Sequence, residues 1–92
     1  MASRKHAGML SVVTGASSGI GLELARLCAA EGMDLIIAAD EMEIETAAET
    51  LRGHGAGKVV PVQADLATTQ GVDQLLTAIR GAIELARLDL RE

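Results

Sequence analysis

Met9-Leu10-Ser11-Val12-Val13 runs straight into Thr14-Gly15-Ala16-Ser17-Ser18-Gly19-Ile20-Gly21, and a helical pattern starts from Gly19. An apolar run, a turn rich in glycine and serine, and a helix in immediate succession make a strand-loop-helix unit. Gly15 lets the chain turn sharply off the strand. Gly19 leaves out a side chain where a bound diphosphate would press on the backbone, and Gly21 lets the helix pack closely on the sheet. The start of such a helix presents free N–H groups and a partial positive charge, which suits phosphate. Ser17 and Ser18 can add hydroxyl donors. The plainer alternative is that these glycines only make a tight strand-to-helix turn. The strand-loop-helix context favours the phosphate cradle.

The same alternation continues outward from this unit. Ile20, Leu24, Leu27 and Cys28 form one stripe of the first helix, which stops near Gly32. Leu35-Ile36-Ile37-Ala38-Ala39 is apolar on both alternating faces, as buried parallel strands are. Ile44, Ala47, Ala48 and Leu51 follow the spacing i, i+3, i+4, i+7 of a second helix, which dies in Gly53-His54-Gly55-Ala56-Gly57. Val59-Val60-Pro61-Val62 makes a third strand. Pro61 has no N–H for a ladder, which places this strand at a sheet edge. The rest is one long helical pattern: Thr68 or Thr69 can cap it, Asp73 favours its first turn, and Gly81 can interrupt it. Its stripe is Val72, Leu75, Leu76, Ile79, Ile83 and Ala86. The order β-α-β-α-β-α with short connections predicts a parallel sheet wound by right-handed crossovers, with strand order 3-2-1. That is an α/β fold, half of a doubly wound dinucleotide-binding (Rossmann) fold, in one domain over residues 1–92.

Composition narrows the functions open to it. The chain has 92 residues, 49% of them apolar, and no Phe, Trp or Tyr. The core is therefore built from Leu, Ile, Val, Met and Ala, a thin interior of marginal stability. Thirteen acidic residues against eight basic ones leave a net charge of −5 without any basic run, which argues against nucleic acid and anionic membranes as partners. Cys28 is the one cysteine, so neither an internal disulfide nor a cysteine-rich zinc site can form. The basic start Met1 to His6 is followed by too short an apolar run for a signal peptide, and no stretch has the roughly 18 apolar residues of a membrane span. A cytoplasmic setting is expected. His6 and His54 read as solvated bystanders, Cys28 as a buried structural thiol, and Glu41, Glu43, Glu45 and Glu49 as a solvated helix face. No metal ligands are expected.

The segment Thr14-Gly15-Ala16-Ser17-Ser18-Gly19-Ile20-Gly21 resembles the T-G-x-x-x-G-x-G cofactor signature of the short-chain dehydrogenase/reductase family. The resemblance extends to about Ile79, through the second strand, the glycine-rich turn after the second helix, and Ala64-Asp65-Leu66 closing the third strand. It implies an oxidoreductase family using NAD or NADP, with the cofactor held by Gly15, Ser17, Ser18, Gly19, Ile20 and Gly21. It also implies that Asp65 approaches the adenine amino group and that the backbone of Leu66 helps seat the base. By its residues alone, Asp65 could equally be a loop residue capping the last helix. Asp40 follows the second strand, where an acid grips the ribose hydroxyls and repels the phosphate of NADP. Relatives preferring NAD carry that acid where this chain has Ala39, one place earlier. Relatives preferring NADP often carry a basic residue at the Asp40 or Ser18 position, and both are absent here. NAD is the expected cofactor, NADP less so, with an N-cap on the second helix as the other role for Asp40.

The resemblance further implies a catalytic tyrosine and lysine four residues apart, a preceding serine, and an Asn-Asn-Ala-Gly segment. The chain has no tyrosine and no asparagine, so no catalytic residues are assigned. The expectation is a truncated cofactor-binding segment, inactive by itself. The alternative is a non-catalytic nucleotide-binding or structural module acting through self-association or a partner. A homodimer is expected, because an uncovered first strand leaves an unpaired edge and a chain this small buries little apolar area. Edge pairing of the first strands or packing of the helices from Val72 to Ala86 would form it, and helix packing is favoured because that stripe continues past where the family's helix ends.

Overall fold

The computed structural model describes residues 7–90, with side chains through Glu84. His6 lies outside the described residues and Ala86 outside the described side chains. In chain order the elements are β1 (Leu10–Thr14), α1 (Gly19–Ala30), β2 (Asp34–Ala39), α2 (Glu43–Gly53), β3 (Val59–Gln63) and α3 (Thr69–Leu90). The strands pair in parallel in the order β1-β2-β3, with Val12 opposite Ile36 and Ile36 opposite Val60. Both Pro61 and the unpaired side of its strand lie at the edge, as a residue without an N–H requires.

β2 is the centre of the molecule. Leu35, Ile36, Ile37, Ala38 and Ala39 are all buried. Because side chains alternate across a strand, Leu35, Ile37 and Ala39 join the core under α1 and α2, together with Val13, Ile44, Ala48, Leu51 and Val59. Ile36 and Ala38 face the other way, toward the side where α3 packs on β2 and β3. Each large side chain taken fully out of water here contributes about 1.5–3 kcal/mol. α2 buries the four residues its periodicity picks out: Ile44, Ala47, Ala48 and Leu51. α1 ends where Gly32 takes a left-handed φ of 78°; its N–H donates to the Ala29 carbonyl and that of Met33 to the Cys28 carbonyl. This pair of bonds closes a helix end on glycine.

α1 is rotated away from the stripe its large residues define, and α3 covers only part of its own. On α1 the buried positions are Ala25 and Ala29, while Ile20, Leu24 and Leu27 are 82%, 52% and 66% exposed. On α3 Gly71 is buried and Leu75, Ala78 and Ile79 are half-buried, whereas Val72, Leu76 and Ile83 are exposed. Gly21 and Gly71 both press on backbone of the preceding loop. On α1 the small residues one and two turns later are the buried ones, whereas on α3 the large Leu75 and Ile79 stay half-buried beside Ala78. Gly81 does not interrupt α3, which runs through it unbroken.

Thr68 caps α3. Its hydroxyl oxygen accepts the Gly71 N–H at 2.9 Å and its O–H donates to the Asp65 carbonyl at 2.8 Å. Thr68→Ala should therefore lower the free energy of unfolding by about 1 kcal/mol, read as a shift of the urea midpoint, while Thr69→Ala leaves it nearly unchanged.

Candidate functional site

In a parallel sheet the strand ends at one edge all lead into loops, and ligands bind outside the carboxyl ends of the strands. Here that edge carries Gly15 to Gly21 after β1, Asp40 and Glu41 after β2, and Ala64 to Thr68 after β3.

The first loop is shaped by glycine at three points. Gly15 has a φ of 66° and its N–H donates to the Ala38 carbonyl at 2.7 Å, so the chain stays tied to β2 while leaving β1. Gly19 has a φ of 62°, and a Cβ there would meet open space. Its need is conformational, and the space above it is free for a ligand. Gly21 is different. A Cβ on Gly21 would collide with the carbonyl of Gly15 and crowd that of Thr14, so α1 can lie this close to the loop only without one.

Ser18 flanks α1 in an extended conformation and makes no side-chain cap bond. The first-turn N–H groups, which a helix leaves without intrahelical partners, therefore receive no serine cap. Together with the partial positive charge of the helix start, they fit a phosphate group. Ser17, expected to turn its hydroxyl to the ligand, instead donates it to Glu41 Oε1 at 2.9 Å. Ile20 stands in solvent beside this loop.

Asp40 is exposed and does not cap α2, whose flanking residue is Met42 with no side-chain bond. The helix starts too late for the Asp40 carboxylate to be its cap. Asp65 supports the turn leading to α3: Oδ1 accepts the Ala67 N–H at 2.9 Å, and its carbonyl takes the Thr68 hydroxyl. The helix cap itself is Thr68. Leu66 is half-buried in that turn. A cavity of about 350 Å³ brings Asp40 and Asp65 together, with Gln63, Thr68 and Gln74 among its other walls. No lysine or arginine lines it. Two carboxylates with amide and hydroxyl groups suit the hydroxyl and amino donors of a nucleoside. The glycine loop lies at the same sheet edge and does not line this cavity.

The remaining candidates stay apart. The exposed His54 ring has Nδ1 2.8 Å from the Thr50 carbonyl. Cys28 is half-buried against the core with Sγ 3.7 Å from Ser11 Oγ. Glu49 pairs with Arg52 at 3.0 Å. Among the described residues no three of His, Cys, Asp and Glu gather as a metal site. Gly71 was missed from sequence, yet a Cβ there would run into the backbone of Asp65. Its signal is a repeated spacing: Ser18-x-x-Gly21 and Thr68-x-x-Gly71 both put glycine third in a helix after a hydroxyl residue.

A parallel α/β sheet with a glycine loop at the first strand end, beside acids after the second and third, has the architecture of a Rossmann-like fold. The profile of the family described as short chain dehydrogenase matches residues 10–90. The chain is 40% identical over 73 residues to 3beta-hydroxysteroid dehydrogenase 1 of Eggerthella lenta, covering 77% of this chain and 28% of that protein. It is 43% identical over 65 residues to 11-beta-hydroxysteroid dehydrogenase A of Sesamum indicum, covering 70% and 19%. The fold superimposes on L-sorbose reductase of Gluconobacter frateurii, solved with NADPH and L-sorbose, with a TM-score of 0.80 and 34% identity over 85% of this chain and 30% of that one. A short-chain dehydrogenase of Sphingobium yanoikuyae in complex with NADPH gives 0.65 and 35% over 71% and 26%. This chain belongs to the short chain dehydrogenase family. It spans less than a third of the length of these relatives. No helix among the described residues is long and apolar enough to cross a membrane.

Gly21→Ala should destabilise the fold by about 1–3 kcal/mol, since the added methyl meets backbone that cannot give way. Gly19→Ala should cost about 1 kcal/mol, for its left-handed φ alone. Urea unfolding of both variants checks the order, which a Gly21→Ala protein as stable as the parent would contradict.

Proposed function

We propose that this chain is the adenosine-diphosphate-binding part of a nicotinamide-dinucleotide oxidoreductase. The observation that carries the reading is the open backbone at Gly19, at the start of a helix without a side-chain cap. Gly15, Ser18, Gly19, Ile20 and Gly21 would hold the diphosphate, with Ser17 beside them. Asp40, Asp65 and Leu66 would border the adenosine. The family and the dinucleotide-bound relatives support the ligand class. The cofactor supplies hydride chemistry when bound, and these residues bind and orient its adenosine half. The choice between NAD and NADP rests on opposed observations. The NADPH held by two relatives supports NADP, against the expectation drawn from Asp40. The acids and the missing cations at this edge support NAD. The steroid and sugar relatives differ in substrate.

ADP-ribose, NAD and NADP should bind the 92-residue chain with dissociation constants near millimolar, about −4 kcal/mol. Amide shifts should move at Gly15 to Gly21 and at Asp65. Unmoved amides at these positions, at several millimolar ligand, would contradict the reading. The chain by itself should reduce no ketone and oxidise no alcohol, since no tyrosine is present to hold and transfer the proton at the substrate oxygen. Cofactor-dependent turnover that survives purification and disappears in Gly19→Asp would overturn that part.

We further propose that the isolated chain self-associates. Leu10 and Val12 on the unpaired side strand and Val72, Leu76 and Ile83 along α3 leave apolar surface exposed. Light scattering over a concentration series should report a dimer, and Leu76→Asp should return it to a monomer without unfolding it. A parent chain that stays monomeric at high micromolar concentration would contradict this.

A further inference from the structure

α3 is longer than the sheet it covers. Its 22 residues span about 33 Å, whereas strands of five or six residues span about 17–20 Å. It packs on β2 and β3, with Gly71 buried and Leu75, Ala78 and Ile79 half-buried. Along its open edge Val72, Leu76 and Ile83 are 40%, 40% and 46% exposed. With Ile79 they are spaced four, three and four residues apart, the interval at which two helices interlock side chains along a seam. Asp73 and Arg80, both exposed, follow Val72 and Ile79 by one residue each and so flank the seam on one side. Among the described residues neither has an ion-pair partner.

We propose that this seam joins two copies of the chain through an antiparallel pair of α3 helices, with Asp73 of each copy beside Arg80 of the other. The inference rests on the self-association proposed above and gives it a surface and a register. Setting Val72 against Ile83 of the second copy, and Leu76 against Ile79, fills the seam with contacts that each occur twice, as a two-fold axis requires. In that register Asp73 lies two residues, about 3 Å, from the level of Arg80 of the second copy, within reach of an arginine side chain. A parallel pair would bring Asp73 level with Asp73 and Arg80 level with Arg80, and would align the two helix dipoles. Charge therefore selects the antiparallel pair.

Sedimentation equilibrium at low salt tests the inference on the parent, Asp73→Arg, Arg80→Asp and the variant carrying both changes. Each single reversal turns two attractive contacts into two repulsive ones, and should raise the dimer dissociation constant about fivefold. The double exchange keeps the parent's net charge and restores opposite charges at both places, so it should return to within about twofold of the parent. The two single variants, mixed, should pair with each other more tightly than either pairs with itself. Urea unfolding checks that each variant is folded. Asp73 also favours the first turns of α3, so Arg80→Asp, in the middle of the helix, carries the test if Asp73→Arg is unstable. A parent dimer unaffected by the single reversals, or a double exchange no tighter than they are, overturns the inference and leaves self-association through another surface standing. A parent that stays monomeric at high micromolar concentration overturns both.

Discussion

A missing methyl group governs this structure. Gly21 lies against the carbonyl of Gly15, and Gly71 lies against the backbone of Asp65, so closely that a Cβ at either would overlap the loop it touches. Each glycine is third in its helix, just after the loop that leaves a strand. The contact therefore sets both how near the helix sits and which way it is turned. Ala25 and Ala29 follow Gly21 onto the sheet at intervals of one turn, and Leu75 and Ala78 follow Gly71. On α1 small residues let backbones approach, and the core is built without any aromatic ring.

The same contacts create the functional edge. α1 starts against its loop without a side-chain cap, and a Cβ on Gly19 at that start would meet open space. Drawing α3 down onto Asp65 holds the third loop in place, with the Asp65 carboxylate bonded to the Ala67 N–H and its carbonyl to Thr68. The central strand then brings Asp40 level with Asp65 across one cavity. Surface charge pairs such as Arg26 with Glu23 and Arg52 with Glu49 add little, because exposed ion pairs are typically worth under about 1 kcal/mol. The molecule is organised by backbone approach and apolar burial.

Much of the fold was legible in sequence because some segments admit one reading. β2 is apolar throughout, α2 has its four buried residues at helical spacing, and Pro61 can stand only where no N–H is needed. The glycine loop was legible too, since strand, glycines and helix occur in order. The rotation of α1 was not, nor was the outward turn of Val72, Leu76 and Ile83 on α3. Ile20, Leu24 and Leu27 make a convincing stripe, but periodicity counts large side chains, and here small ones face the sheet. The Asp40 cap failed for a related reason: α2 begins at Glu43, and boundaries depend on local geometry more than on residue type. The Ser17 bond to Glu41 joins residues 24 apart, which no local pattern encodes.

The most direct test of this account is a crystal structure of the chain with ADP-ribose. The diphosphate should lie over Gly19, accepting N–H bonds from the first turn of α1, with the adenosine toward Asp40 and Asp65 and Gly21 still pressed on the Gly15 carbonyl. A diphosphate bound elsewhere, or an α1 lifted from its loop in the complex, would contradict it.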